Sequence, residues 1–295
     1  MEFHNVKGVI KKDYNLAHLT WFKVGGNAEF FFKPKDEEDL ANVLKQLRCR
    51  KQVTVVGAGS NIIIRDGGID GLVIKLTRQF SEIKSVSKRG LLVGAGCLNY
   101  NLAQFAQLNG ISGFEFLVGI PGCIGGGVIM NAGSYNQEFK DIVQSINVVN
   151  FDGNIKNIPS KDIAFGYRDS NLPKDIIITS VELKNQKGDP KVIQAKMDKI
   201  SNARSKSQPI TEKTGGSTFA NPTSCKAWEA IDRAGMRGYR VGGALMSRKH
   251  CNFIINDGSA TASDIEKLGN IVKEKVYQKE NITLKWEIKR IGKYV

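Results

Sequence analysis

The chain has 295 residues, of which 41% are apolar and 24% charged, with 43 Lys plus Arg against 29 Asp plus Glu. That balance excludes a disordered, collagenous or coiled-coil chain and allows one large domain or two medium ones. The net charge of +14 calls for an anionic partner or a lysine-rich solvated surface, and 31 glycines exceed the usual share.

In chain order, residues 34–48 (PKDEEDLANVLKQLR) predict a helix with Leu40, Val43, Leu44 and Leu47 on one face and acids in its first turn. Strands follow at 53–56, 62–64 and 72–76, around a turn at Asp66–Gly68, and another at 91–95. A helix over 98–109 stops at Gly110. Residues 116–137 carry no charge and are long enough to span a bilayer, but six glycines, Pro121, Asn131 and Asn136 argue for a buried glycine-rich loop region. Strands are expected near 142–150, 154–159 and 176–184, with a domain boundary in the polar segment that follows.

Beyond it, helices are expected at about 190–206 and 225–234, and a strand at 252–256. Ser263 and Glu266 have capping-box spacing at the head of a helix with Ile265, Leu268, Val272 and Val276 on one face. The final segment ITLKWEIKRI alternates, with Ile282, Leu284, Trp286 and Ile288 on one side and Thr283, Lys285, Glu287 and Lys289 on the other.

Five cysteines without CxxC spacing (Cys49, Cys97, Cys123, Cys225 and Cys251) and an N-terminus without an apolar core point to a reduced, cytoplasmic protein. No metal-ligand spacing occurs, so no metal is expected. The charge is uneven: residues 188–295 carry a net +9 and residues 1–187 a net +5. Zinc-finger spacing, an RNP-type strand and an arginine-rich arm are all missing, which disfavours nucleic acid.

Two glycine loops stand out. One is VTVVGAGSNIII, with Gly57, Ala58, Gly59, Ser60 and Asn61; the other is FLVGIPGCIGGGVIMNAGSY, with Gly119, Gly122, Gly125, Gly126, Gly127 and Gly133. Glycine lets successive backbone N–H groups converge on an anion, and two such loops would cradle a pyrophosphate. Neither the P-loop nor the GxGxxG pattern is present, so an ATPase and a Rossmann dinucleotide site are disfavoured.

WFKVGGNAEF, VGAGSNIIIRDGG, GFEFLVGIPGCIGGGVIMNAGSY, IAFGYRDS, GGSTFANP, GYRVGGALMSRKHCNFIIN and LKWEIKRIG occur in this order between about residues 15 and 293. Together they closely resemble the UDP-N-acetylenolpyruvoylglucosamine reductase (UDP-N-acetylmuramate dehydrogenase) family, in its shorter form. The resemblance implies an α+β protein. An FAD-binding domain of the vanillyl-alcohol-oxidase (PCMH) type, in two subdomains over residues 1–187, would precede an α+β substrate-binding domain over 188–295. It implies FAD held by Gly57, Ala58, Gly59, Ser60 and Asn61, and by Gly119, Gly122, Ile124, Gly125, Gly126, Met130, Asn131, Ala132 and Gly133. With no histidine between His18 and His250, the flavin is expected to be non-covalent.

The same resemblance implies that NADPH reduces the flavin and that the enolpyruvyl ether of a UDP-sugar is then reduced to UDP-N-acetylmuramate. Three side chains match the family's catalytic positions: Arg168 for the substrate carboxylate, Ser217 as proton donor, and Glu287 for enolate stabilisation. Tyr167, Asn221, Tyr239, Arg240, Lys249 and His250 are candidates for substrate contacts. Two positions depart from the commoner family pattern. Ala220 stands where many relatives have lysine, and Thr20-Trp21-Phe22-Lys23 replaces a Thr-Phe-Arg arrangement. A cytoplasmic monomer without membrane or nucleic-acid partners is expected. The alternative is another FAD oxidoreductase of the same fold acting on a different anionic substrate.

Overall fold

The computed structural model describes residues 3–47, 53–87 and 90–295. Cys49 and the predicted end of the first helix at 48 lie outside the described residues. The chain folds into two compact units that are interleaved in sequence. One comprises residues 1–11, 30–58 and 72–203, the other 12–29, 59–71 and 204–295. A single boundary at 187/188 therefore departs from the packing. The helix Pro190–Ser207 follows that boundary, yet its buried Ile193, Met197 and Ile200 join the core of the first unit.

In the first unit, a five-stranded antiparallel sheet runs in the order Ile155–Pro159, Val143–Asn150, Ile176–Lys184, Gly90–Gly94 and Ile83–Ser87. Strand Val143–Asn150 alternates imperfectly because its pairing with Ile176–Lys184 shifts register twice, turning extra residues inward. Helix Asn99–Leu108 buries Leu102, Ala103 and Ala106, and Gly110 (φ +63°) ends it as expected. A second core of this unit joins Phe30, Phe32, Leu40, Val43, Leu44, Leu72, Ile74, Val149 and Ile177. Its helix is Glu37–Lys45, three residues shorter at its start than predicted, because Asp36 caps it by accepting from Asp39 N–H at 2.8 Å. The Phe116–Gln137 stretch is more structured than a loop: a 3₁₀ turn Glu115–Gly119 leads to a short helix, Ile124–Ile129.

The second unit is built on helix Ala262–Glu280, whose Ile265, Leu268, Val272 and Val276 are buried against Phe22, Val24, Ile63, Ile231, Met246 and Ile254. Its N-cap is Thr261, paired in a capping box with Asp264, and not Ser263 with Glu266. Ser263 lies inside the first turn, its N–H donating to Asp66 at 2.9 Å. Glu266 is withdrawn to an ion pair with Arg65 at 2.8 Å, and Arg290 stands 3.7 Å away. The last segment keeps the expected alternation of burial at Leu284 and Ile288, but only Lys289–Ile291 forms a strand, parallel to Ile62–Ile64. No helix among the described residues is long and apolar enough to cross a membrane.

Candidate functional site

Each unit carries its own group of candidate residues. In the first, the strand Val53–Val55 pairs in parallel with residues 72–74 and opens into Gly57 and Ala58. These two residues are exposed or half-exposed, and their N–H groups have no hydrogen-bond partner among the described residues. Cys123 faces them: a Cβ on Gly57 would lie 2.7 Å from its Sγ, and one on Gly126 would lie 3.6 Å from the same sulfur. The two glycine loops are thus brought to one place, with Cys123 between them. Gly126 alone among the three successive glycines is exposed. Gly125 packs on Ala95, and its N–H donates to Ala95 O at 2.9 Å, while Ile124 donates to Cys97 O. A side chain on Gly127 would collide with the Phe139 ring.

The backbone therefore spends Ile124, Gly125 and Gly127 on packing and leaves Gly126 facing out. That arrangement fits a flavin diphosphate, because a Cβ at the outward position would fill the space the group needs. Lys75, at the end of strand Ile69–Ile74, adds a cation here; its Nζ donates to Gly57 O at 2.6 Å. A lysine closing an apolar strand carries no sequence signal for such a role.

Also in the first unit, the Asn131-Ala132-Gly133 turn and the Gly166–Asp169 turn are welded together. Buried Asn131 (φ +37°) donates to Gly166 O at 2.9 Å and to Glu138 at 3.1 Å. Arg168, at φ +58°, reaches Gly133 O at 3.2 Å and lies 5.0 Å from the centroid of the Tyr167 ring. The Lys140 ammonium, with Arg168 contributing less, holds the Glu138 carboxyl below its ordinary pKa. Arg168 thus stands beside the glycine loop, and Ser170, buried in the same turn, anchors it by donating to Ile129 O at 3.0 Å. Met130 caps the short helix, its N–H donating to Gly126 O. Gly119 and Gly122 (φ +137°) flank the turn before it; a Cβ on Gly119 would meet Ser134 Oγ at 2.8 Å.

In the second unit, Gly215–Asn221 runs antiparallel to the final segment, with Phe219 opposite Trp286 and Glu287 N–H donating to Thr218 O at 2.9 Å. Ser217, next to Thr218, and Glu287 thus lie on adjacent segments although 70 positions apart in sequence, and both are half-buried. Gly216 (φ +81°) makes the turn that presents Ser217, and Asn252 clamps Phe219 from both sides of its amide. Asn61 joins the same corner: it accepts from Lys289 N–H at 3.1 Å, and its amide reaches Glu287 O at 3.4 Å. Gly59 accepts from Trp21 N–H, which places the departing Thr-Trp-Phe-Lys segment against Gly59 in this loop.

The weaker candidates are more scattered in their contacts. Asn221 accepts from Ala227 N–H at 3.0 Å, at the head of helix Ala227–Arg233. Arg240 is held by Asp257. Tyr239 is exposed, and Lys249 reaches Ser205 O at 2.6 Å. His250 sits between Trp228 and Phe253, at 6.2 and 4.8 Å between ring centroids, and burial pushes its pKa down. Ala220 donates to Lys285 O, so its lysine-free position lies beside an exposed lysine on the facing segment.

Residues 28–158 match a family described as FAD binding domain, and residues 208–291 match UDP-N-acetylenolpyruvoylglucosamine reductase, C-terminal domain. The chain is 60% identical over 290 residues to the UDP-N-acetylenolpyruvoylglucosamine reductase of Rickettsia felis, covering 98% of both chains. It is 61% identical over 289 residues to that of Rickettsia rickettsii strain Sheila Smith, again covering 98% of each. The crystal structure of UDP-N-acetylenolpyruvylglucosamine reductase from Thermus caldophilus superposes with a TM-score of 0.84 at 33% identity, over 96% of this chain and 98% of that one. With both halves matched in one chain and near-complete coverage, the protein belongs to the UDP-N-acetylenolpyruvoylglucosamine reductase family.

Proposed function

We propose that the protein reduces UDP-N-acetyl-3-O-(1-carboxyvinyl)-glucosamine to UDP-N-acetylmuramate with NADPH, through non-covalently bound FAD, in peptidoglycan precursor synthesis. The observation that carries this reading is the identity of about 60% across 98% of the chain to reductases of that name. FAD, when bound, passes a hydride from NADPH to the enolpyruvyl double bond.

The chain's own residues would do the rest. The first unit would hold the cofactor, with Gly57, Ala58 and Gly126 offering backbone to the diphosphate; the second would hold the UDP-sugar. The Arg168 guanidinium would pair with the substrate carboxylate and stay charged while that group gains enolate character. Ser217 would deliver the proton to the neighbouring carbon. A free hydroxyl is too weak an acid for this, so the role requires neighbours that stabilise alkoxide character in the substrate complex. Glu287, on the facing segment, would stabilise the developing enolate. Tyr167, Asn221, Tyr239, Arg240, Lys249 and His250 would line the sugar and diphosphate. We infer a cytoplasmic monomer without nucleic-acid or membrane partners, whose product supports cell-wall growth, cell shape and division.

The test is a pair of anaerobic half-reactions on the yellow purified protein. NADPH should bleach the flavin, and the enolpyruvyl UDP-sugar should restore its colour. Bleaching without reoxidation by that substrate would leave an FAD oxidoreductase of another specificity. Competition by UDP, with duplex binding that vanishes as salt is added, should identify the positive charge of residues 188–295 as serving a UDP-sugar.

A further inference from the structure

Lys75 and Lys33 end neighbouring strands of the first unit, tied where Lys75 N–H donates to Phe32 O at 3.0 Å. Neither lysine has a carboxylate within ion-pair distance among the described residues. Lys75 instead donates to a neutral acceptor, the carbonyl of Gly57, at 2.6 Å. Lys33 Nζ lies 5.6 Å from the centroid of the Phe31 ring. A half-buried ammonium facing a second ammonium gives up hydration without recovering it from an acid. Burial, first, and Lys33 lower the Lys75 pKa, with Cys123 acting the other way.

The loop that holds this ammonium also carries the unpartnered N–H groups of Gly57 and Ala58, and the exposed Gly126 shares its sulfur neighbour. A cation and two backbone donors on one turn, with no acid to neutralise them, form a site for a doubly charged anion. We propose that the Lys75 ammonium binds the pyrophosphate of FAD, neutralising charge that the glycine loops contact only through dipoles. The inference rests on the cofactor reading above and adds a residue that neither glycine motif contains. Lys33 contributes field without touching the phosphate.

The FAD-stripped protein tests it in two ways. In the unaltered chain, FAD and ADP should both shield Lys75 from acetylation, read by mass spectrometry, while riboflavin, which lacks the phosphates, should not. In titrations followed by flavin fluorescence, Lys75→Met should weaken FAD binding by about tenfold or more, the usual worth of a hydrogen bond to a charged group. Lys75→Arg should retain most of the affinity. Equal acetylation of Lys75 with and without FAD would overturn the proposal, as would equal losses in Lys75→Met and Lys75→Arg. If the unaltered protein bound no FAD at all, the flavin reading itself would fall, and the acetylation pattern with ADP would still report on Lys75.

Discussion

The turns around Gly126 and Ser217 are both glycine-rich, yet they present different atoms. At Gly126 the backbone would be the working surface: the flanking Gly125 and Gly127 are consumed by Ala95 and Phe139, and the outward glycine is left bare. At Ser217 the glycines only shape the chain. Gly216, with open space around its missing Cβ, turns the chain just before Ser217, one residue ahead of Thr218, which pairs with Glu287. A backbone-built site tolerates almost no added atom, whereas a side-chain-built site tolerates neighbours but not loss of its one functional group.

The contrast breaks most sharply at Ser217. Ser217→Ala should leave NADPH-driven flavin bleaching nearly intact while slowing reoxidation by the enolpyruvyl substrate by about 10²–10⁴-fold, the usual worth of a proton donor. Stopped-flow absorbance separates the two; equal losses in both would make Ser217 a structural residue. Next comes Gly127→Val, whose side chain would enter the Phe139 ring and should cost about 2–3 kcal/mol, read by thermal unfolding. Its neighbour sharpens the comparison: Gly126→Leu should purify with less flavin, yet its FAD-free form should unfold at nearly the same temperature as the FAD-free unaltered protein, because nothing but Cys123 Sγ, at 3.6 Å, lies near its Cβ.

A weaker effect is expected from pH. Burial depresses the His250 pKa in the folded state, so the folded protein disfavours the protonated ring. Its stabilising contribution is full above the unfolded value of about 6.5 and is lost as pH falls below it towards the depressed folded value. Replacing His250 with Gln should flatten that acid-side decline in the unfolding midpoint; an unchanged slope would assign it to other groups.

What could be read from sequence follows the same division. Glycine clusters advertise a backbone site by composition, and the 3.6-residue spacing of Ile265, Leu268, Val272 and Val276 announces a helix face. Ser217 and Glu287 stand out as candidates only through the order of motifs, since a serine after two glycines and a glutamate in an alternating segment are common in isolation. The capping box went to the wrong pair because Thr261/Asp264 and Ser263/Glu266 share one spacing. The choice between them is made by Arg65, 201 positions earlier, drawing Glu266 inward. The interleaving of the units leaves no sequence signal for a related reason: isolated apolar residues such as Phe22 and Val24 do not reveal which core they enter.

That interleaving sets the order in which the protein can be completed during synthesis. The parallel pair formed by Ile62–Ile64 and Lys289–Ile291 joins residues on either side of more than 220 others. At about 5–20 residues per second, Ile62–Ile64 waits roughly ten to fifty seconds after leaving the ribosome for its partner. Phe22, Val24 and Ile63 wait as long for the helix that buries them. A fragment beginning at residue 188 would emerge without those three core residues and without the strand its own C-terminal segment pairs with. Residues 289–291 are thus the ones that close the second unit, and a ribosome stalled before them would leave the apolar residues Phe22, Val24 and Ile63 for chaperones to cover.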